Sequence, residues 1–161
     1  RGDELVNEDM ITAICNSLVP QTTIITPNSI EARRLVRNRE EDSDEQDLGK
    51  CSKEILNMGC KYVLVTGTHE NTHQVENILY ADSGIVRSDI WKRLIGSYHG
   101  SGCTLASAIA ANLANGMPVS EGVYEAQEYT WQTLKNGFHP GVGQYLPDRL
   151  FWVRNKCNST E

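Results

Sequence analysis

The first periodicity along the chain is helical. Between Val6 and Leu18 the apolar residues fall at 6, 10, 11, 14 and 18, the spacing of one helix face. Asn7 is placed to cap that helix and Pro20 to stop it. Thr22-Thr23-Ile24-Ile25-Thr26 is β-branched throughout, which predicts a short buried strand ended by Pro27-Asn28. A helix follows from Ser29, with Ile30, Leu35 and Val36 apolar and Arg33, Arg34 and Arg37 polar. Arg39 to Asp47 carries charge and no apolar residue, the pattern of a solvated loop. Its acids suit the start of a helix over Asp47 to Met58, where Leu48, Cys51, Ile55 and Met58 share a side and Gly59 is the stop.

Lys61 to Thr66 reads as a second buried strand, ended by Gly67, and 68–74 as a polar loop. Val75 to Tyr80 and Ile85 to Trp91 flank Ala81-Asp82-Ser83-Gly84, which predicts a hairpin. Ser97 to Gly116 is then a glycine turn running into a helix. Leu105, Ile109 and Leu113 fall four apart, and alanines at 106, 108, 110, 111 and 114 suit close packing against a sheet. Asn115-Gly116 is a good C-terminal stop. Pro118 pre-sets a last helix with Val119, Val123, Ala126, Thr130 and Leu134 on one face and Gly137 at its end. The tail from Phe138 is rich in Gly and Pro.

Short β-branched strands alternating with helices predict an α/β layered fold with a mostly parallel sheet. In such folds ligands sit at the carboxyl ends of strands. Thr26-Pro27-Asn28 and Thr66-Gly67 are expected on that rim together with the glycine turn. A length of 161 residues suits one domain.

Composition narrows the classes of function. The net charge of −6 weighs against nucleic-acid binding and leaves nucleotide binding open. No apolar run approaches the ~20 residues that span a bilayer, and Arg1-Gly2-Asp3-Glu4 has no signal-peptide character. The five cysteines are scattered and form no C-x-x-C, the usage of reduced thiols in the cytoplasm. Asn158-Ser159-Thr160 matches a glycosylation sequon, here read as chance. The chain has no P-loop and no G-x-G-x-x-G. His99 and Cys103 stand where a G-x-S-x-G elbow needs glycines, so Ser101 is a poor hydrolase nucleophile.

Three elements carry candidate chemistry. Gly100-Ser101-Gly102-Cys103 opens a helix, where free amides and the helix dipole favour an anion; the alternative is a turn that serves only tight packing. Asn28 and Glu31 lie one helical turn apart and can hold a hydrated Mg²⁺ near phosphates. The alternative there is a capping box, which spacing alone favours. The third is the strand end Val63-Leu64-Val65-Thr66-Gly67, whose alternative is an ordinary buried strand with a turn glycine.

In combination these segments resemble a known family. His99-Gly100-Ser101-Gly102-Cys103-Thr104-Leu105, continued through Ala108 to Ala114, is similar to the anion-hole segment of the hydroxymethylpyrimidine/phosphomethylpyrimidine kinases of the ribokinase superfamily. Ile25-Thr26-Pro27-Asn28-Ser29-Ile30-Glu31-Ala32 resembles that superfamily's T-P-N-x-x-E-A segment, and Tyr62 to His69 resembles the strand and turn leading to its ATP site. The resemblance implies a ribokinase-like three-layer α/β/α sandwich and a kinase of thiamine synthesis. It would use ATP and Mg²⁺ to phosphorylate a small-molecule pyrimidine alcohol and then its monophosphate.

The resemblance also implies roles for residues. Amides across Gly100, Ser101, Gly102 and Cys103 hold the transferred phosphoryl. Asn28 and Glu31 order the metal through water. Thr66 and Gly67 border the triphosphate, and Gly84 to Val86, Ala106 and Ala110 contact the adenosine. Cys103 stands where many sugar kinases have an aspartate base. A helix start favours thiolate over thiol and an incoming phosphate opposes it, so the base role and a packing role both stay open, with the base role ahead.

The chain departs from the family in two ways. Thr66-Gly67-Thr68-His69 stands where many of these kinases have Lys-Gly-Gly-His, so a phosphate-binding lysine is missing there. Gly2-Asp3-Glu4-Leu5-Val6 resembles a point in mid-fold, so the chain is expected to be the C-terminal part of a single kinase domain, with the N-terminal part missing. Gly141 to Arg149 resembles C-terminal segments of some of these kinases and is read mainly as a loop docking back on the core. A homodimer is expected, as such kinases often form. A kinase for pyridoxal or hydroxyethylthiazole, and a non-catalytic nucleotide-binding module, are the alternatives.

Overall fold

The computed structural model describes residues 8–36 and 47–153. Asn7, Arg37, most of the charged run after Arg39, the Gly2–Val6 segment, Cys157 and the sequon lie outside the described residues. The chain divides into two units, Arg1–Lys92 and Arg93–Glu161.

In the first unit the opening helix is α1 (Glu8–Ala13), which widens into a π-helical turn over Ile14–Leu18 and tightens into a 3₁₀ turn over Val19–Gln21. Pro20 sits in that last turn, where its missing amide costs little. The β-branched run yields a strand of only two residues, β1 (Ile24–Ile25), half-buried. Next come α2 (Ser29–Val36) and α3 (Leu48–Asn57). Asp47 caps α3 by accepting the Lys50 amide at 2.9 Å. Gly59, at φ +116°, turns the chain out of that helix.

β2 (Tyr62–Thr66), β3 (Gln74–Ala81) and β4 (Gly84–Lys92) complete a sheet of order β1-β2-β3-β4. Among the strands of the described residues only β1 and β2 pair in parallel; β2–β3 and β3–β4 are antiparallel. This corrects the mostly parallel sheet expected from the alternation of elements. The link over 67–73 is shorter than the dozen residues that a parallel crossover needs, and a hairpin is antiparallel by construction.

Asp82 and Ser83 make the hairpin turn without positive φ, and Gly84 takes the left-handed position at φ +104°. One residue further, Ile85 pairs with Tyr80 and Arg87 with Leu79. Val86 is therefore the extra, unpaired residue of a bulge.

The core of this unit joins one side of α2 and of α3 to one face of the sheet. Val19, Ala32, Val36, Cys51, Ile55, Leu56, Cys60, Val63, Val65 and Tyr80 are buried together. On the other face of β2 and β3, Leu64 and Leu79 are paired and fully buried. Burial pushes the Cys51 and Cys60 thiols up from their ordinary pKa.

In the second unit α4 (Ser101–Ala114) packs against α5 (Val119–Lys135). Leu105 and Ile109 of α4 are buried, as are Val123, Ala126 and Thr130 of α5, the apolar faces read from the sequence. The alanines behave differently from expectation: Ala106, Ala110, Ala111 and Ala114 are exposed, and the helix partner of α4 within its unit is α5.

α4 ends in a Schellman motif. Gly116, at φ +85°, donates to the Leu113 carbonyl and Met117 to that of Asn112. The tail docks back through His99 N–H to the Tyr145 carbonyl at 2.9 Å and Asp148 N–H to the Thr133 carbonyl at 2.9 Å. Tyr98 and Tyr145 stack with ring centres 5.3 Å apart.

Candidate functional site

The start of α4 is built around a backbone that only glycine adopts easily. Gly100 occupies the N-cap position at φ +84° and ψ +10°, and no side chain caps the helix. The Gly100 carbonyl accepts the Thr104 amide at 3.0 Å and the Thr104 hydroxyl at 2.8 Å. The amides of Ser101, Gly102 and Cys103 therefore have no hydrogen-bond partner among the described residues, the condition in which a helix start attracts an anion. Gly102 leaves the approach open, since a β-carbon there would meet nothing within 4 Å.

Cys103 is exposed on this first turn. Ala106 and Ala110 follow it at helical spacing, and both are exposed. The three share one face, small and uncharged, that runs away from the glycine turn.

One further group reaches this turn, and sequence reasoning passed over it. Arg149 Nε donates to the Thr104 hydroxyl at 3.0 Å. Its Nη2 lies 3.1 Å from where a side chain on Gly100 would begin. The only signal in the sequence was the Gly141–Arg149 segment, which reads as a docking loop, and docking is what its backbone does.

In the first unit Asn28 and Glu31 form a reciprocal capping box. The Asn28 amide donates to Glu31 Oε2 at 2.9 Å, and the Glu31 amide donates to Asn28 Oδ1 at 2.8 Å. The helical spacing thus does capping work, and Glu31 Oε1 is the carboxylate oxygen left over. No cluster of three or more His, Cys, Asp or Glu fit to hold a metal occurs among the described residues.

The structure brings Asn28 beside Thr66. The two form an isolated parallel bridge, with the Thr66 amide donating to the Pro27 carbonyl at 3.0 Å. Gly67 is a glycine because of packing: a β-carbon would lie 2.3 Å from the Glu76 carbonyl oxygen. Its amide donates to Asn77 Oδ1 at 3.1 Å. Asn77 is a second residue that sequence reasoning missed; it is buried opposite Thr66 in the register. Asp89 follows in the same row, clamped by Arg87 through two contacts of 2.7 Å. Val86, 38% exposed, stands out of the ladder on its bulge.

A family model described as phosphomethylpyrimidine kinase matches residues 1–148. The chain belongs to the phosphomethylpyrimidine kinase family. Among relatives of this family, the hydroxymethylpyrimidine/phosphomethylpyrimidine kinase of Rhizobium meliloti is 32% identical over 89% of this chain and 53% of its own length. The pyridoxine kinase of Bacillus subtilis is 31% identical over 90% of this chain and 53% of its own length. The chain thus spans about half the length of the curated relatives it matches. Among solved structures, the pyridoxal kinase from Staphylococcus aureus in complex with pyridoxal matches with a TM-score of 0.82 at 26% identity, over 95% of this chain and 56% of that one. The same enzyme is also known in complex with AMP-PCP, with a TM-score of 0.81. Among the described residues no helix is long and apolar enough to cross a membrane.

Proposed function

We propose that the intact protein is an ATP-dependent kinase of a vitamin alcohol, acting on hydroxymethylpyrimidine and then on its monophosphate in thiamine synthesis. In this reading both units are parts of one ribokinase-like α/β/α domain, and the enzyme works as a cytoplasmic homodimer. The carrying observation is the start of α4: three amides without partners among the described residues, an open glycine and an exposed thiol, within a chain of this family.

Phosphoryl transfer asks a protein chiefly for positioning and charge stabilisation. The alcohol oxygen bonds to the γ-phosphorus while the bond from that phosphorus to the ADP oxygen breaks. The alcohol proton passes to Cys103 Sγ, which later returns it to solvent. Amides of Ser101, Gly102 and Cys103 stabilise the charge on the phosphoryl oxygens as it moves. The small exposed face of Ala106 and Ala110 leaves room for a nucleoside, and Val86 is a further exposed candidate for contact with it.

Thr66 and Gly67 are proposed beside the triphosphate. The Gly67 amide is already committed to Asn77, so Thr66 has the freer groups. Asn28 and Glu31 fit Mg²⁺ through water rather than as direct ligands, because the two hydrogen bonds of the cap occupy Asn28 Oδ1 and Glu31 Oε2, and Glu31 Oε1 is left for a water. Bound Mg²⁺ would supply positive charge to the phosphate oxygens.

A second reading, a pyridoxal kinase, is favoured by the pyridoxine kinase of Bacillus subtilis, as similar to this chain as the pyrimidine kinases are. A coupled ADP assay on the intact protein separates them, with hydroxymethylpyrimidine, pyridoxal and hydroxyethylthiazole each offered with Mg-ATP. Turnover with the pyrimidine is expected to be fastest. Turnover only with pyridoxal replaces the first reading by the second, and nucleotide binding without turnover on any alcohol removes both.

A further inference from the structure

We propose that Arg149 is an anion-binding residue of the α4 start, contacting the transferred phosphoryl group directly. The inference rests on the kinase reading above. A helix start carries about half an elementary positive charge, and cations are ordinarily favoured at the opposite end. Arg149 nevertheless places its guanidinium at this start, within 3.1 Å of the position that a Gly100 side chain would fill. Arg149 has no carboxylate partner among the described residues. Two like charges brought together are stabilised when an anion lies against both.

The arginine is also held in place rather than draped there. Its Nε is fixed by the Thr104 hydroxyl, which is itself tied to the Gly100 carbonyl at 2.8 Å. Its carbonyl accepts the Tyr129 hydroxyl of α5 at 3.1 Å. Asp148, one residue earlier, is buried and tied to Thr133 of α5. One guanidinium nitrogen thus serves for positioning, and the two terminal nitrogens keep the paired geometry that suits phosphate oxygens. Gly100 is doubly constrained by this arrangement, by its positive φ and by the arginine that takes the space of a side chain.

The test compares Arg149→Gln, Arg149→Lys and Arg149→Ala in the intact protein. A direct phosphoryl contact predicts that Arg149→Gln lowers kcat/KM about 10- to 100-fold, the loss of one charge-assisted hydrogen bond, with the thermal midpoint little changed. Arg149→Lys should recover part of the loss, and added guanidinium ion at low concentration should restore turnover to Arg149→Ala. Tripolyphosphate binding, followed by calorimetry, should weaken about tenfold in Arg149→Gln, and this readout needs no turnover. If the wild type phosphorylates no alcohol, the kinase reading fails while the tripolyphosphate result still decides the role of Arg149. A variant that melts earlier but keeps wild-type kinetics and tripolyphosphate affinity would show a tether for the tail only, and would overturn the proposal.

Discussion

A β-carbon at position 102 would meet no atom within 4 Å, in the first turn of a helix. Alanine there should stabilise the fold by up to about 1 kcal/mol, because glycine is the costlier helix residue. If the open space admits a phosphoryl group, Gly102→Ala raises the thermal midpoint and lowers turnover at least tenfold; raised stability with unchanged turnover would remove Gly102 from the site. Cys103 makes a paired case. Cys103→Ala should cut turnover far more than nucleotide affinity, and an equal loss of both would make the residue structural. In the native protein iodoacetamide should modify Cys103 well before Cys51 and Cys60, which are buried and whose thiols burial holds in the protonated form.

Glu70 adds a pH test at the same scale. Arg33 donates to it at 2.9 Å and holds its carboxyl below the usual carboxylate range, with burial opposing. A lowered folded-state value gives stability that is present above the unfolded carboxylate value and lost as pH falls through the folded one. The gap in stability between wild type and Glu70→Gln should therefore be full at neutral pH and shrink below about pH 4. It should also be modest, because the pair is partly exposed. A gap that widened in acid would contradict this. The pair joins α2 to the turn after β2, which is where the residue scale passes into that of the elements.

Among the elements, the turn at Thr66-Gly67 is the least tolerant. Gly67→Ala would drive a methyl into the Glu76 carbonyl, so β2 and β3 must part locally. Urea denaturation should show a loss of roughly 2 kcal/mol or more, the usual size for a forced overlap in a packed site. Unchanged stability would mean that the strands yield there at little cost. The existence of these elements was legible because each is announced locally: Leu105 and Ile109 repeat at helical spacing, Val63-Leu64-Val65 is an apolar run, and Gly84 marks the hairpin. Strand direction was less legible. Alternating elements suggest parallel pairing, but the shortness of the 67–73 link decides against it. The length of β1 was illegible too, since β-branched residues favour a strand without saying how much of it finds a partner.

For the molecule as a whole, the family was readable from the glycine turn, while half of its surroundings was not. Asn28 and Glu31 have a spacing that suits a cap more than a metal, and the hydrogen bonds show the cap at work. Arg149 stands 49 positions after Gly100 in the sequence, with no periodicity to link them. Such partners become visible only when the tail is seen to return. Asn77 escaped notice for the same reason, because its contact with Gly67 depends on the register of two strands.

The short links of the β2–β3–β4 meander bear on the order of assembly. Asp82–Ser83 and 67–73 close small loops, whereas Ile24 must find Tyr62 across two helices. Loop closure costs less for near neighbours, and local pairing speeds folding. The meander should therefore form first and present β2 as a template on which β1 docks last. Pulsed hydrogen exchange during refolding would show the β3 and β4 amides protected before the Tyr62 amide, which donates to the Thr23 carbonyl. Protection in the reverse order would mean that the α2–α3 layer, rather than the hairpin, sets the pace.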